Sequence, residues 1–231
     1  LWFSQAALMP FIKTAFQLTD PQVKALLILN VAITIPSRIL VGILVDKYGP
    51  RVAYSVLLAI SSLFCFGYAA ADTFEMLAVM RFLLGFVGAG FVIGIRLVSE
   101  WFPAREVGFA EGIYGGWGNF GAAVASGLLP ILAGIYGGDD GWRYAIATVG
   151  VLAMIYSVVF YRYARNTTKG SHYFKPKKLG GLEITSKSDL VFYLFMTVPL
   201  FGALYLMTWR LSPAGTHLLS EDGALIAYFV I

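Results

Sequence analysis

The chain is poor in charge, in cysteine and in histidine, and each shortage removes a class of function. Asp, Glu, Lys and Arg make up 13% of its residues, against about 25% in a soluble domain, while 58% are hydrophobic. A surface with so few charges is solvated mainly by lipid. The single cysteine, Cys65, lies in an apolar run and can form neither an intramolecular disulfide nor a cysteine metal cluster, so it reads as helix packing. The two histidines, His172 and His217, fall in polar stretches with no Ser-His-Asp or metal-ligand spacing around them. No catalytic residue, metal or cofactor is therefore expected, and an enzyme is the weakest reading. The net charge of +4 would suggest nucleic acid in a soluble protein; here it follows the rule that cytoplasmic loops of membrane proteins are basic, and no nucleic-acid partner is expected.

What the chain has in abundance is long apolar runs, each near the ~20 residues that a membrane-spanning helix needs. They cover about 25–45, 53–71, 77–99, 108–135, 144–161 and 190–209, with the tail of a first span at 1–12 and the start of another from Gly223. Lipid offers no partner to backbone polar groups, so spans imply helices and an all-α integral membrane protein. Three regions are expected: a six-helix bundle over 1–161, a basic linker over 162–189, and one further span with the start of another over 190–231. Both ends fall inside apolar stretches, which predicts a piece of a longer protein with its first span truncated.

The Lys and Arg distribution sets orientation. With the linker in the cytoplasm, that side collects Lys47, Arg51, Arg105, Arg162, Arg165, Lys169, Lys175, Lys177, Lys178 and Lys187. The far side keeps Lys13, Lys24, Arg81, Arg143 and Arg210, with the acidic pair Asp139–Asp140. A multi-pass protein of a bacterial inner membrane, monomeric, with a cytoplasmic linker, is expected.

The loop after the second span reads "GILVDKYGPR", placing Gly42, Asp46, Gly49 and Arg51 in a fixed spacing. Asp46 can accept hydrogen bonds from a helix N-terminus or an arginine, and Gly49 permits a tight turn. This spacing resembles the loop signature of the major facilitator superfamily, and the resemblance implies a conformational latch at this loop. Arg105, after the fourth span, is the expected partner of Asp46. Arg81 in "RFLLG" is similar to that superfamily's fourth-span arginine.

Two arginines, Arg38 and Arg96, belong to neither side. Arg38 sits eight residues before Asp46, about 12 Å from the helix end at ~1.5 Å per residue. A charge at that depth costs about 2.5–3.5 kcal/mol or more, and no Asp or Glu shares its span. Pro36, two residues earlier, predicts a local kink. An anion site is the leading reading of Arg38; a structural pair with Glu100, or with a residue of the longer protein outside this chain, is the alternative. Arg96 has Glu100 four residues on, on the same helix face, and reads as structural or gating.

The fifth span contains "GGWGNFG" among glycines 108, 112, 115, 116, 118 and 121. Gly108, Gly112 and Gly116, like Gly90 and Gly94 of the fourth span, are spaced for close helix packing. Packing leaves Asn119 unexplained; its amide N–H groups suit the oxygens of an anion. Tyr114 and Trp117 beside it read as packing residues that could also contribute.

"GGWGNFGAA" resembles the nitrate signature of the nitrate/nitrite porter family, and "PSRILVGILVDKYGPR", "GAGFVIGIR" and "EWFP" are similar to cyanobacterial nitrate permeases. The resemblance implies a major facilitator fold. It also implies a secondary transporter of nitrate or nitrite working by alternating access, with proton-coupled uptake favoured. Substrate-lining roles are implied for Arg38, Asn119 and Phe91, with Gly116 and Gly118 in the signature itself. A guanidinium fork suits a small planar anion, and Phe91 would offer its electropositive edge. A carrier of another small anion such as a monocarboxylate, or a nitrate-binding membrane sensor, are the other readings.

Overall fold

The structure is a computed structural model that describes residues 1–173, 175 and 186–230. Among these the secondary structure is helical: α1 (Ser4–Ala7), α2 (Met9–Phe16), α3 (Asp20–Ala32), α4 (Thr34–Tyr48), α5 (Pro50–Ala69), α6 (Phe74–Leu84), a 3-10 segment (Gly85–Ala89), α7 (Gly90–Trp101), α8 (Ala104–Tyr136), α9 (Gly141–Tyr163), α10 (Lys187–Leu211) and α11 (Glu221–Val230). Among the described residues, six helical stretches are long and apolar enough to cross a membrane: Asp20–Tyr48, Pro50–Ala69, Phe74–Trp101, Ala104–Tyr136, Gly141–Tyr163 and Lys187–Leu211.

Local chemistry sets the ends. Thr19 and Gln22 form a capping box at the start of α3, and the Thr73 hydroxyl accepts the Met76 N–H at 3.2 Å to open α6. Gly49 turns the chain into α5 with φ 85° and ψ 159°, a conformation that only glycine enters without strain. Helix α8 runs 33 residues without a break through its eight glycines and through Pro130.

The second and fourth spans, by contrast, are interrupted. Pro36 has no N–H for the Ala32 carbonyl, and the second span breaks at Ile33 between α3 and α4, where the kink is expected. The fourth span tightens into the 3-10 segment between α6 and α7. These two interrupted spans pack on each other, α5 lies along α9, and α8 leans on α9.

The apolar interior has two parts. The larger is built on Leu8, Ile12, Leu26, Tyr68, Leu77, Trp142 and Ile146, with Cys65 fully buried in it. A separate small cluster of Val41, Val45, Ala89 and Ile93 sits towards the linker end of the second and fourth spans.

The α8 glycines depart from expectation. A Cβ at Gly108, Gly112, Gly115, Gly116, Gly118 or Gly121 would meet nothing within 4 Å, so they make no close helix contact among the described residues. Gly94 does receive a neighbour, but it is the Tyr114 ring and not a helix backbone.

Candidate functional site

A cavity of about 620 Å³ opens between the interrupted spans, α5, α8 and the start of the chain. Its wall brings together Arg38, Phe91, Gly118 and Asn119, four of the five residues the sequence nominates for substrate. Gly116 is not among them. It lies in a shallow recess with Ile113, Trp117 and Phe120, because two residues along a helix turn the backbone by about 200°.

Arg38 projects from α4, one turn past the Ile33 break, and is exposed to the cavity. Among the described residues it has no ion-pair or hydrogen-bond partner; its contact is the Phe91 ring, 5.8 Å from guanidinium to centroid. The alternative pairing with Glu100 is not formed, because Glu100 is bound to Arg96. Phe91 is in turn stacked on Tyr114, centroids 5.7 Å apart and planes at 25°. With ring faces engaged by a cation and another ring, the electropositive edge is what Phe91 has left for an anion. The Asn119 amide donates one hydrogen bond to the Gly115 carbonyl at 3.3 Å, leaving its second N–H uncommitted among the described residues.

Tyr114 is held by three features. Its ring occupies the space a Cβ at Gly94 would need, its hydroxyl donates to the Gly90 carbonyl at 3.3 Å, and it reaches the hydroxyl of Tyr54. Tyr54 carries no sequence signal that would have nominated it. Arg38 is the one formally charged side chain on this wall among the described residues. A cavity walled by apolar and aromatic groups around a single cation favours a small anion.

At the linker end, Asp46 takes a different partner from the one expected. Arg96 Nε lies 4.0 Å from Asp46 Oδ1, and Arg96 Nη2 lies 3.0 Å from Glu100 Oε1. Arg105 pairs instead with its neighbour Glu106 at 3.1 Å on the exposed start of α8, because Pro103 turns the chain away from the Asp46 loop. Arg96 thus joins the second and fourth spans. Its guanidinium also sits over the ring of Tyr173, 5.4 Å from the centroid, while the Tyr173 hydroxyl donates to the Val45 carbonyl at 2.8 Å. Burial pushes the Tyr173 phenol above its ordinary range, and the bond with Arg96 pulls it part of the way back.

The rest of the loop motif is tied to the chain that follows α9. Asn166 Oδ1 accepts the Arg51 N–H at 2.9 Å, and the Asn166 side chain fills the space a Cβ at Gly49 would take. Gly49 is therefore demanded twice, by its φ and by its neighbour. Arg51 donates to the Tyr161 carbonyl at 2.6 Å, and Trp101 Nε1 donates to the Arg165 carbonyl at 3.2 Å. None of Asn166, Tyr173 or Trp101 stands out in the sequence as a partner of the motif.

Arg81 stays in the fourth span, but its side chain turns into the core. It is 2% exposed rather than in a far-side loop, and donates to Gln5 Oε1 and to the carbonyls of Leu26 and Trp2. The polar Gln5 inside an apolar run was the available clue. At the far end a larger crevice, about 750 Å³, contains Arg143, but Asp140 at 2.8 Å and Asp72 at 3.3 Å already neutralise it. Asp139 adds a third carboxylate, so this crevice repels anions.

The chain is 43% identical over its whole length to the nitrate/nitrite transporter NrtP of Nostoc punctiforme, covering 47% of that protein. It is 38% identical to the protein of the same name from a Picosynechococcus species, with the same coverage of 100% and 47%. A probable nitrate/nitrite antiporter, NarK1 of Thermus thermophilus, is 35% identical over 65% of this chain and 35% of its own. The chain spans about half the length of the two NrtP relatives, and their names bear out the resemblance read from the nitrate signature. The family profile described as Major Facilitator Superfamily matches residues 1–231, and with the helical architecture above, the chain belongs to that superfamily.

Proposed function

We propose that this chain supplies one half of the anion site of a secondary transporter that moves nitrate and/or nitrite across a membrane by alternating access. The observation that carries the reading is Arg38, a cation on the wall of an apolar, aromatic cavity, with no ion-pair partner among the described residues. Two oxygens of a planar anion match the two parallel N–H groups of a guanidinium. Asn119 and Phe91 line the same wall, which supports a shell completed by the Asn119 N–H and the Phe91 edge. Gly118, beside Asn119, lets an ion approach the backbone where a side chain would stand.

The linker faces the cytoplasm in this reading, which the basic residues of 162–189 support. Asp46, Arg96, Glu100 and the Gly49 turn then form the cytoplasmic latch, and breaking the Asp46–Arg96 contact accompanies opening on that side. Proton-coupled uptake is the favoured mode. Exchange of nitrate for nitrite is the second reading, supported by the name of the Thermus relative, an antiporter.

The test is nitrate uptake by the full-length protein in proteoliposomes, with and without an inward proton gradient and with nitrite as competitor. Gradient-stimulated entry supports symport. Entry that requires internal nitrite supports exchange, and absence of nitrate flux under both conditions refutes the assignment.

A further inference from the structure

The two interrupted spans meet at their interruptions. A Cβ on Gly85 of the 3-10 segment would run into the Asn30 carbonyl oxygen at 2.5 Å and into the Ile33 side chain. One on Gly88 would meet Thr34 Cγ2 at 2.6 Å and Oγ1 at 2.8 Å. Between them lies the Thr34 hydroxyl, 4% exposed, within 2.8 Å of the Asn30 carbonyl and 3.0 Å of the Gly85 carbonyl. Its single proton is shared by one carbonyl from each span, at the level where neither helix is regular.

Both interruptions determine where site residues point. A 3-10 helix advances about 120° per residue and an α-helix about 100°, so five 3-10 residues re-phase everything after them by about 100°. Phe91, two residues past the segment, owes its direction to that rotation. Arg38 lies four residues after Thr34, so it stands above Thr34 on the same face of α4. Past the joint the two spans are held together by the Val41, Val45, Ala89 and Ile93 cluster and by Asp46–Arg96, separately from the main core.

From these contacts we infer that Thr34 is a positioning residue. It pins the break of the second span to the 3-10 segment of the fourth, and so presents Arg38 and Phe91 to the same cavity. This rests on the anion-binding reading of that cavity. The hydroxyl does not touch the anion; it acts through the two residues that do. A threonine that only satisfied a buried carbonyl would affect stability and yield, but not the orientation of position 91.

Two measurements on the full-length protein separate these roles. In the first, Thr34→Val, which keeps the shape without the hydroxyl, and Thr34→Ser, which keeps the hydroxyl without the methyl, are compared for nitrate uptake in proteoliposomes. Loss of one buried hydrogen bond corresponds to a rise in KM of about five- to tenfold for Thr34→Val, with turnover changed less than about twofold. Thr34→Ser restores KM to within about twofold. In the second, the same substitutions are combined with Phe91→Cys, and the rate of modification by a small polar thiol reagent is followed; Cys65 is buried, and the protein without Phe91→Cys serves as the blank for every native thiol. Thr34→Val slows or abolishes modification, and Thr34→Ser does not.

An unchanged modification rate in Thr34→Val overturns the inference, as does a KM rise that Thr34→Ser fails to restore. If no variant, nor the parent, carries nitrate, the anion assignment falls. The modification rates still decide whether Thr34 positions the wall of the cavity.

Discussion

Replacing Arg38 by lysine tests the site most directly, because the charge is kept and only its geometry changes. Arg38 has no internal ion pair or hydrogen bond among the described residues, and the ring of Phe91 at 5.8 Å attracts an ammonium as well as a guanidinium. The substitution therefore breaks no fold contact that would confuse the result. A guanidinium offers two parallel N–H groups to a planar anion, and an ammonium centres one strong donor on a single oxygen. Losing one charged hydrogen bond costs about 1.5–3 kcal/mol, which is about a 10- to 150-fold loss of affinity. The shorter reach of lysine adds to this. The assay is nitrate binding or the KM of uptake for the full-length protein in proteoliposomes, with thermal stability in detergent as the control. Stability should stay within the error of the parent while affinity falls by the stated factor. Parent-like affinity in Arg38→Lys would refute forked recognition and leave only a general requirement for positive charge.

Further expectations concern the latch and the packing behind the cavity. Asp46→Asn should impair uptake by weakening the contact with Arg96, whereas Arg105→Ala should leave uptake near the parent value, since its pair with Glu106 is exposed; equal effects of the two would contradict the pairing seen here. Gly49→Ala should destabilise the protein by about 1–3 kcal/mol, read as a lower melting temperature, because it meets both a glycine-only conformation and the Asn166 side chain. Gly94→Ala should expel the Tyr114 ring from its seat and cost about 1–3 kcal/mol of packing. Its effect on nitrate KM should exceed that of Gly108→Ala, where the added methyl meets nothing within 4 Å.

The sequence determined the class of molecule and nominated four residues that share one cavity wall. Scarce charge and repeated apolar runs of spanning length require lipid-facing helices, since lipid satisfies no backbone polar group. A mid-span arginine, a glycine-rich stretch with one asparagine, and the spaced loop motif were each legible locally because each breaks the apolar pattern. Pro36 likewise announced the break at Ile33, as a missing N–H acts within its own helix. What depends on contacts between distant residues was decided only in three dimensions. The choice of Arg96 over Arg105 for Asp46 depends on how the second and fourth spans cross, and Arg105 is turned away by Pro103 after the fourth span has ended. Gly116 falls outside the cavity through helix phase, and Arg81 moves into the core because carbonyls and Gln5 from other spans wait for it. The seating of Thr34 against Gly88, of Tyr114 against Gly94 and of Asn166 against Gly49 has the same character. Each joins a glycine to a side chain far away in sequence, and a glycine shows in sequence only that something comes close, not what.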